Sequence, residues 1–261
     1  MNPHALVTND DGVDSVFLHR LVDALLPHFK VSVAAPAHEQ SWKGRSMTRH
    51  GEVEVVRNNT DFPEDVEAWS INGTPTDCVN IALGNLLPTK PDIVLSGINI
   101  GYNTTQTLIL SSGTVAGAIE GTLWDLPAMA FSKCIPKDQF ERISESKGMA
   151  DPDLDASLKA CASHAARMAL ETLRDTSHLG SVININFPSQ TSDQSEIVDT
   201  VPAKLRLSGL FAETSPNKFT FRYSDGTEID SHPETDRSVL SSGRISRSIL
   251  DFSRIGEPKE E

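Results

Sequence analysis

A strand, an acidic turn and a helix at the start of the sequence constrain the fold more than any other feature. An apolar run at residues 5–7 leads to Asp10, Asp11 and Gly12. Apolar residues then recur at helical spacing over residues 16–29. In an open parallel sheet, ligands bind at the carboxyl ends of strands, where this turn falls. Two adjacent aspartates repel each other unless a positive group lies between them, which favours a divalent cation. The alternative is a solvated turn whose aspartates cap the helix.

Strand and helix candidates alternate along most of the sequence, which is typical of an α/β fold. The extended segments are short and apolar, and they lie at residues 31–35, 53–56, 69–71, 93–95, 127–132 and 182–187. Helical spacing spans residues 154–173 and two shorter segments, whereas the polar residues 102–106 and 137–153 are expected to be loops. We therefore predict a Rossmann-like three-layer αβα core with a mostly parallel sheet over residues 1–188.

The composition changes after Pro188, where the next segment is polar and acidic. Residues 201–210 and 218–223 look extended, with a turn at residues 224–226, and they predict a β-hairpin. A hairpin that no helix covers exposes its edges, so we expect it to pack on another subunit. We assign residues 189–261 to a β-rich C-terminal extension used in oligomerisation.

The overall composition argues against several classes of protein. The formal net charge of −13 disfavours stable binding to nucleic acid. No apolar run approaches the ~20 residues of a membrane span, and the N-terminus lacks the segments of a signal peptide. Cys78, Cys134 and Cys161 form no CxxC pair and are interpreted as reduced thiols. We expect a cytoplasmic protein that binds neither nucleic acid nor membranes.

Further polar residues fall where predicted strands end or helices begin. Ser41 lies in a polar loop after the second strand, and Asn99 follows another strand with glycines on both sides. Ser112, Gly113 and Thr114 precede a helix of small residues, and the hydroxyls and N–H groups of such a start suit a phosphate. Each has a structural alternative: a serine bonded to the loop backbone, a turn asparagine and a helix N-cap.

Thr74 and Pro75 begin another candidate helix. Thr74 suits the N-cap and Pro75 the first helical position, so capping alone accounts for these residues. The functional alternative is a helix N-terminus directed at an anion.

Four motifs, in order, resemble the SurE family of survival proteins, which are metal-dependent nucleotide phosphatases. They are Thr8-Asn9-Asp10-Asp11-Gly12-Val13, Ala35-Pro36 with Ser41, Gly73-Thr74-Pro75-Thr76-Asp77-Cys78-Val79, and Ser96-Gly97-Ile98-Asn99 with Ser112-Gly113-Thr114-Val115-Ala116. In the second half of the chain, Asn184-Ile185-Asn186-Phe187-Pro188 and Glu234-Thr235-Asp236 are also similar to the family.

The resemblance implies a site and a substrate. It implies one divalent cation per subunit, Mg²⁺ or Mn²⁺, held by Asp10, Asp11, Ser41 and Asn99. It implies phosphate binding by Asn9, Ser112, Gly113 and Thr114. It implies catalytic roles for Asp10, Asn99 and Ser112. The substrate would be a nucleoside 5′- or 3′-monophosphate, and the protein would associate with itself as a dimer or tetramer.

The sequence departs from the family's pattern in two loops. Residues 101–111 lack the acidic pair that usually follows Ser-Gly-Ile-Asn, and Trp42 replaces the small residue that usually follows Ser41. Trp42 either packs or stacks on a base. Lys43 and Arg45 suggest how an acidic protein could admit a phosphate. These changes leave the implied metal ligands intact and affect substrate preference.

The sequence supports two classes of function and disfavours a third. The leading hypothesis is a Mg²⁺- or Mn²⁺-dependent phosphomonoesterase acting on nucleoside monophosphates. The second is a non-catalytic nucleotide or metal sensor that keeps the fold and the cation site. A nicotinamide-dependent Rossmann enzyme is disfavoured, because no GxGxxG motif follows the first strand.

Overall fold

The structure of the protein is a computed structural model that describes residues 2–58, 60–148, 152–224, 226–229, 232–253 and 255. Its strands are β1 (His4–Thr8), β2 (Lys30–Pro36), β3 (Val55–Arg57), β4 (Glu67–Ile71), β5 (Ile93–Ile100), β6 (Ala128–Lys133), β7 (Ser181–Phe187), β8 (Ile197–Thr200), β9 (Leu205–Arg206), β10 (Phe211–Ser215), β11 (Lys218–Phe221), β12 (Thr227–Glu228) and β13 (Ile245–Asp251). Its α-helices are α1 (Val16–Leu25), α2 (Pro75–Ile81), α3 (Thr105–Ser111), α4 (Gly113–Thr122), α5 (Lys137–Glu145), α6 (Pro152–Thr172) and α7 (Asp236–Ser241).

One sheet of nine strands, in the order β3-β4-β2-β1-β5-β6-β7-β13-β8, forms the centre of the fold. The strands from β4 to β7 in this order all pair in parallel, whereas β3 and β13 pair antiparallel with β4 and β7. The prediction of an α/β fold with a mostly parallel sheet is therefore confirmed. Strands β8 and β13 extend this sheet although they follow residue 188, and the domain division at that residue stays a prediction.

Helices cover both faces of the sheet and bury its apolar side chains. On one face α1 and α6 pack together, and Phe17, Leu21 and Leu158 are fully buried there. On the other face α2 and α4 pack together, with Val79 and Val115 in the core. Truncating one such side chain to alanine typically costs about 2–5 kcal/mol. These helices bury the parallel strands on both faces. Because the strands run in the same direction, their carboxyl ends lie together along one edge of the sheet.

The start of α2 is closed by its own side chains. Thr74 and Asp77 form a reciprocal capping box, and Pro75 occupies the first turn. The Asp77 carboxylate also accepts hydrogen bonds from the N–H and hydroxyl of Thr48. A carboxylate from the chain itself thus satisfies this helix N-terminus, and the capping interpretation of Thr74 and Pro75 holds.

The predicted hairpin in the C-terminal region has a different register. Strands β10 and β11 pair antiparallel across residues 216–217, where Asn217 has a left-handed φ of 63°. The shorter pair β9 and β12 lies outside them. The turn predicted at residues 224–226 is wrong as the hairpin turn, because the Pro216-Asn217 dipeptide closes a tighter connection. Residue 225 lies outside the described part of the chain.

Two predicted loops contain helices. Helix α3 begins within the expected loop at residues 102–106, and Leu108 and Ile109 are buried by it. Helix α5 begins the segment 137–153, which was expected to be a loop, and its polar sequence buries Ile143. Short helices with few apolar residues carry weak periodicity, which explains both errors. Among the described residues, no helix is long and apolar enough to span a bilayer.

Candidate active site

A cavity of about 670 Å³ opens at the carboxyl ends of β1, β2 and β5. Asp10, Asp11, Ser41, Asn99 and Ser112 line it together, although they come from four separate loops and strand ends. Its volume lies within the range of small-molecule sites. The sequence prediction that these five residues share one edge of the sheet agrees with this arrangement.

Asp10 and Asp11 form the acidic end of the cavity. Their side chains are almost fully buried. The Thr114 hydroxyl donates to Asp10 Oδ1 at 2.6 Å, and the Ile100 N–H donates to Asp11 Oδ2 at 2.8 Å. Neither carboxylate has a salt bridge to a described lysine, arginine or histidine. The two carboxyl groups are therefore held side by side, an arrangement that a cation between them would stabilise.

Burial perturbs both carboxylates. Desolvation raises the pKa of Asp10 to about 6, although hydrogen bonds from Thr114 favour its ionised form. Desolvation and then the neighbouring charge of Asp10 raise the pKa of Asp11 well above its usual range. These shifts have the direction expected for two carboxylates that are buried next to each other. Strong perturbation in a cavity is a recognised mark of functional groups.

Asn99 reaches the cavity because of the backbone of β5. The pairing of β5 with β6 shifts between Ser96 and Asn99. Gly97 lies in this interval with a φ of 134°, and a Cβ there would lie 2.4 Å from the Phe131 carbonyl oxygen. Only glycine allows this approach, so the sequence Gly97-Ile98-Asn99 fixes where the amide emerges.

The start of α4 lies directly against Asp10. Ser112 is the N-cap, and its hydroxyl oxygen accepts the Val115 N–H at 3.1 Å. This bond leaves the Ser112 hydroxyl proton available to the cavity. A Cβ on Gly113 would lie 2.8 Å from Asp10 Cβ and 2.9 Å from its Oδ2, so glycine is required here. The segment thus positions Asp10 as well as presenting a donor to the cavity.

Asn9 and Thr114 lie behind the cavity surface. Both side chains are fully buried, and neither lines the cavity. The Thr114 hydroxyl donates to Asp10, and Asn9 Nδ2 donates to the Gly12 carbonyl at 2.8 Å. Asn9 Oδ1 has no hydrogen-bond partner in the described structure. Their assignment to phosphate binding stays a prediction, and these contacts indicate that they orient the acidic turn.

The donor set suits a hard divalent cation. Among the described residues, no group of three histidine, cysteine, aspartate or glutamate side chains could hold a metal. A coordination shell that includes Asp10 and Asp11 would instead be completed by the Ser41 hydroxyl, the Asn99 amide and water. Mg²⁺ and Mn²⁺ prefer such oxygen ligands and keep several waters. Two buried carboxylates that form no salt bridge within the described residues, together with neutral oxygens on the same cavity, therefore fit this class of ion.

The positive charge expected from Lys43 and Arg45 is absent from the cavity wall. Arg45 forms a salt bridge of 2.6 Å with Glu120, which is almost fully buried. Glu120 also accepts hydrogen bonds from Asn80 and Trp124. This pair ties the loop to α2 and α4 and holds Arg45 away from the cavity wall, and its suggested role in admitting a phosphate stays a prediction.

Helix α5 and the segment before it supply a cavity wall that the sequence did not predict. Ile135, Lys137, Phe140, Glu141 and Ser144 line the cavity from this side. Lys137 brings a cation to it. The helical spacing of residues 137, 140, 141 and 144 could have identified one face of a helix, but the face is mostly polar.

Asn103 is a further cavity residue that sequence reasoning missed. Its N–H donates to Asn186 Oδ1 at 2.7 Å, and its carbonyl accepts from Asn184 Nδ2 at 2.9 Å. Its own amide donates to the Ser132 hydroxyl at 2.8 Å. The two asparagines of β7 thus hold the loop after β5 in place. The only sequence signal was the Asn-Ile-Asn pattern at residues 184–186.

Comparisons with known proteins show which family the chain resembles. The family model described as survival protein SurE matches residues 5–207. A 5′-nucleotidase SurE from Methanospirillum hungatei is 36% identical over 245 residues, covering 94% of this chain and 84% of the relative. Another from Desulfovibrio desulfuricans is 34% identical over 254 residues, covering 95% and 93%.

A solved structure shows the same architecture. The crystal structure of the SurE protein from Aquifex aeolicus superposes with a TM-score of 0.75 at 25% sequence identity, covering 95% of this chain and 93% of that one. The family model matches most of the chain, and both relatives are at least 34% identical to it over more than four fifths of their own length. The chain belongs to the SurE family.

Proposed function

We propose that this protein is a 5′-nucleotidase that depends on a divalent metal and hydrolyses nucleoside 5′-monophosphates to nucleosides and inorganic phosphate. The observation that carries the proposal is the pair of buried carboxylates of Asp10 and Asp11, which form no salt bridge within the described residues and share a cavity with the Ser112 hydroxyl. The names of the full-length relatives support the same reaction. Hydrolysis of 3′-monophosphates stays a prediction.

The acidic end of the cavity would hold one Mg²⁺ or Mn²⁺ through Asp10, Asp11, Ser41 and Asn99. When bound, the ion supplies positive charge to the phosphate and lowers the pKa of a coordinated water. Without a cation, the phosphate would meet two carboxylates and be repelled. Positioning and charge stabilisation account for most of what phosphoryl transfer requires.

The other residues would position the reacting groups. The Ser112 hydroxyl donates a hydrogen bond to a phosphate oxygen while its own oxygen stays on the Val115 N–H. Gly113 allows the helix start to lie against Asp10 and would add its N–H to the phosphate. Asp10 and Asn99 keep the phosphate and the attacking water in line. Among the described residues, the partner of Ser112 is a backbone N–H and not a base, so we do not propose a phosphoserine.

A phosphate-release screen tests the proposal. Nucleoside 5′- and 3′-monophosphates are incubated with Mg²⁺, Mn²⁺ or Ca²⁺, or with a chelator. We expect release from the 5′-monophosphates with Mg²⁺ or Mn²⁺ and none with the chelator. Metal-dependent nucleotide binding without release would instead support the non-catalytic sensor.

A matched pair of variants assigns the activity to the site. Asp11→Asn should lower kcat/KM at least about a hundredfold, because it removes a charged ligand from the acidic end. Asp14→Asn is the control, since Asp14 is half exposed, pairs with Lys147 and does not line the cavity. Equal activity of both variants and the parent would refute the assignment.

We also propose that the arm formed by β10 and β11 is where the protein associates with itself. Both strands are largely exposed, and Phe211 and Phe219 are 66% and 62% exposed. Two exposed phenylalanines on a two-stranded sheet are a typical interaction surface. Light scattering should give a dimer or tetramer, and Phe211→Ser with Phe219→Ser should reduce its mass. A monomeric parent protein would contradict this proposal.

A further inference from the structure

Four aromatic side chains form one wall of the cavity. They are Trp42, Tyr102, Phe221 and Tyr223, and they come from the loop after β2, the loop after β5 and the end of the β10–β11 arm. We call this set the aromatic wall. The Trp42 ring centroid lies 4.9 Å from that of Phe221 and 6.1 Å from that of Tyr223, with the rings tilted by 58° and 59°. The hydroxyls of Tyr102 and Tyr223 are 3.1 Å apart.

The aromatic wall is assembled but not buried. Trp42 is 41% exposed, Phe221 44% and Tyr223 37%, so the rings retain apolar surface that faces solvent. Contacts between the rings hold them in place, and the hydrogen bond between the two tyrosines fixes their outer edge. Such a surface is suited to a flat apolar group, which would release water from it.

The backbone of Trp42 also indicates a functional constraint. Its φ is 61°, in the left-handed region that bulky side chains rarely adopt. Unfavourable backbone conformations of this kind concentrate at ligand-binding sites. Trp42 directly follows Ser41, so the residue that faces the acidic end and the residue that forms the aromatic wall are adjacent in the chain.

We infer that the aromatic wall is the nucleobase platform of the substrate, with the base stacked on Trp42 and the phosphate directed to the acidic end. This inference rests on the proposed function and deepens it. The aromatic wall offers ring faces as its contact surface. The hydroxyls of Tyr102 and Tyr223 form a hydrogen bond with each other. Stacking on rings is tolerant of base identity, because every base has a π-face. The site should therefore distinguish nucleotides from phosphoesters without a base, and discriminate weakly among the bases.

The test compares two substrates that differ only in the base. The ratio of kcat/KM for adenosine 5′-monophosphate to that for ribose 5-phosphate is measured in the parent, Trp42→Ala and Trp42→Phe. We expect the ratio to fall about tenfold to a hundredfold in Trp42→Ala, mainly through the KM of the nucleotide. Trp42→Phe should recover most of the loss. Trp124→Phe is the control, because Trp124 bonds Glu120 and does not line the cavity.

The outcomes separate stacking from a structural role. If Trp42→Ala lowers kcat/KM equally for both substrates, so that their ratio stays within twofold of the parent, the aromatic wall only shapes the site and the inference is overturned. If the parent hydrolyses neither substrate, the proposed function fails while stacking is still tested by binding. In that case adenosine 5′-monophosphate should quench tryptophan fluorescence in the parent and in Trp124→Phe but not in Trp42→Phe. Quenching that persists in Trp42→Phe would refute the inference.

Discussion

The carboxylate of Asp236 joins the C-terminal region to the rim of the cavity. It is fully buried, and its Oδ1 accepts the N–H groups of Ala203 at 3.0 Å and Arg237 at 2.7 Å. Its Oδ2 accepts the N–H of Thr105 at 2.8 Å, and Thr105 begins α3. Because α3 contributes Leu108 and Ser111 to the cavity, Asp236 supports the loop that carries them.

Burial raises the pKa of Asp236 from its ordinary value of 3.8 to about 6, although the three N–H groups favour its ionised form. An acid with a raised pKa binds its proton more tightly in the folded state, so folding stability falls as pH rises between the two values. One pKa unit corresponds to about 1.36 kcal/mol, so ionised Asp236 costs about 3 kcal/mol above pH 7. This cost disappears as pH falls below about 4.

Replacing Asp236 with asparagine isolates this contribution. The amide oxygen can keep the bonds from Ala203 and Arg237, but its NH₂ group would face the Thr105 N–H and lose that bond. A buried donor without a partner costs about 1–3 kcal/mol at every pH. Asp236→Asn should therefore be less stable than the parent at pH 4. Between pH 4 and pH 8 its free energy of unfolding should rise relative to that of the parent by about 2–3 kcal/mol.

Urea unfolding of both proteins at several pH values between 4 and 8 measures this difference. The comparison cancels groups that titrate equally in both proteins. Asp23→Asn is the control, because Asp23 is exposed and its pair with Arg20 is worth little. A stability difference between Asp236→Asn and the parent that does not change with pH would refute the reasoning.

Two further substitutions test other contacts of the site. Gly113→Ala should reduce turnover at least about a hundredfold, because its Cβ would displace the Asp10 carboxylate. Gly84→Ala is the control and should keep full activity, because its Cβ meets only a ring carbon at 3.6 Å. Equal turnover in both variants would show that the helix start does not position Asp10. Arg45→Gln should lower the free energy of unfolding by about 1–3 kcal/mol, because it leaves Glu120 buried without its cation. The KM for nucleotide should stay within about twofold of the parent. A tenfold rise in KM at unchanged stability would instead show that Arg45 contributes to phosphate binding.

The site residues predicted from sequence lie at the ends of strands or the starts of helices that the local sequence pattern identifies. Asp10, Asn99 and Ser112 each follow a recognisable strand or precede a recognisable helix, and parallel topology brings such positions to one edge. The core of the fold was predictable for the same reason, since buried strands and amphipathic helices repeat clear patterns.

The features that sequence reasoning missed depend on partners distant in the chain. Arg45 bonds Glu120, 75 residues away, and Thr114 bonds Asp10, 104 residues away, and no local pattern encodes either choice. The same holds for the two asparagines of β7 that hold Asn103. The hairpin register failed because two turn signals compete between residues 211 and 228, and sequence alone does not rank them.

Binding of Mn²⁺ measured together with turnover tests the central claim most directly. The chelated parent protein and Asp11→Asn are titrated calorimetrically with Mn²⁺, and phosphate release from adenosine 5′-monophosphate is followed in the same samples. We expect the parent to bind one Mn²⁺ per chain and to regain turnover as it binds, and Asp11→Asn to lose both. Turnover by the chelated parent, or undiminished turnover by Asp11→Asn, would contradict the account.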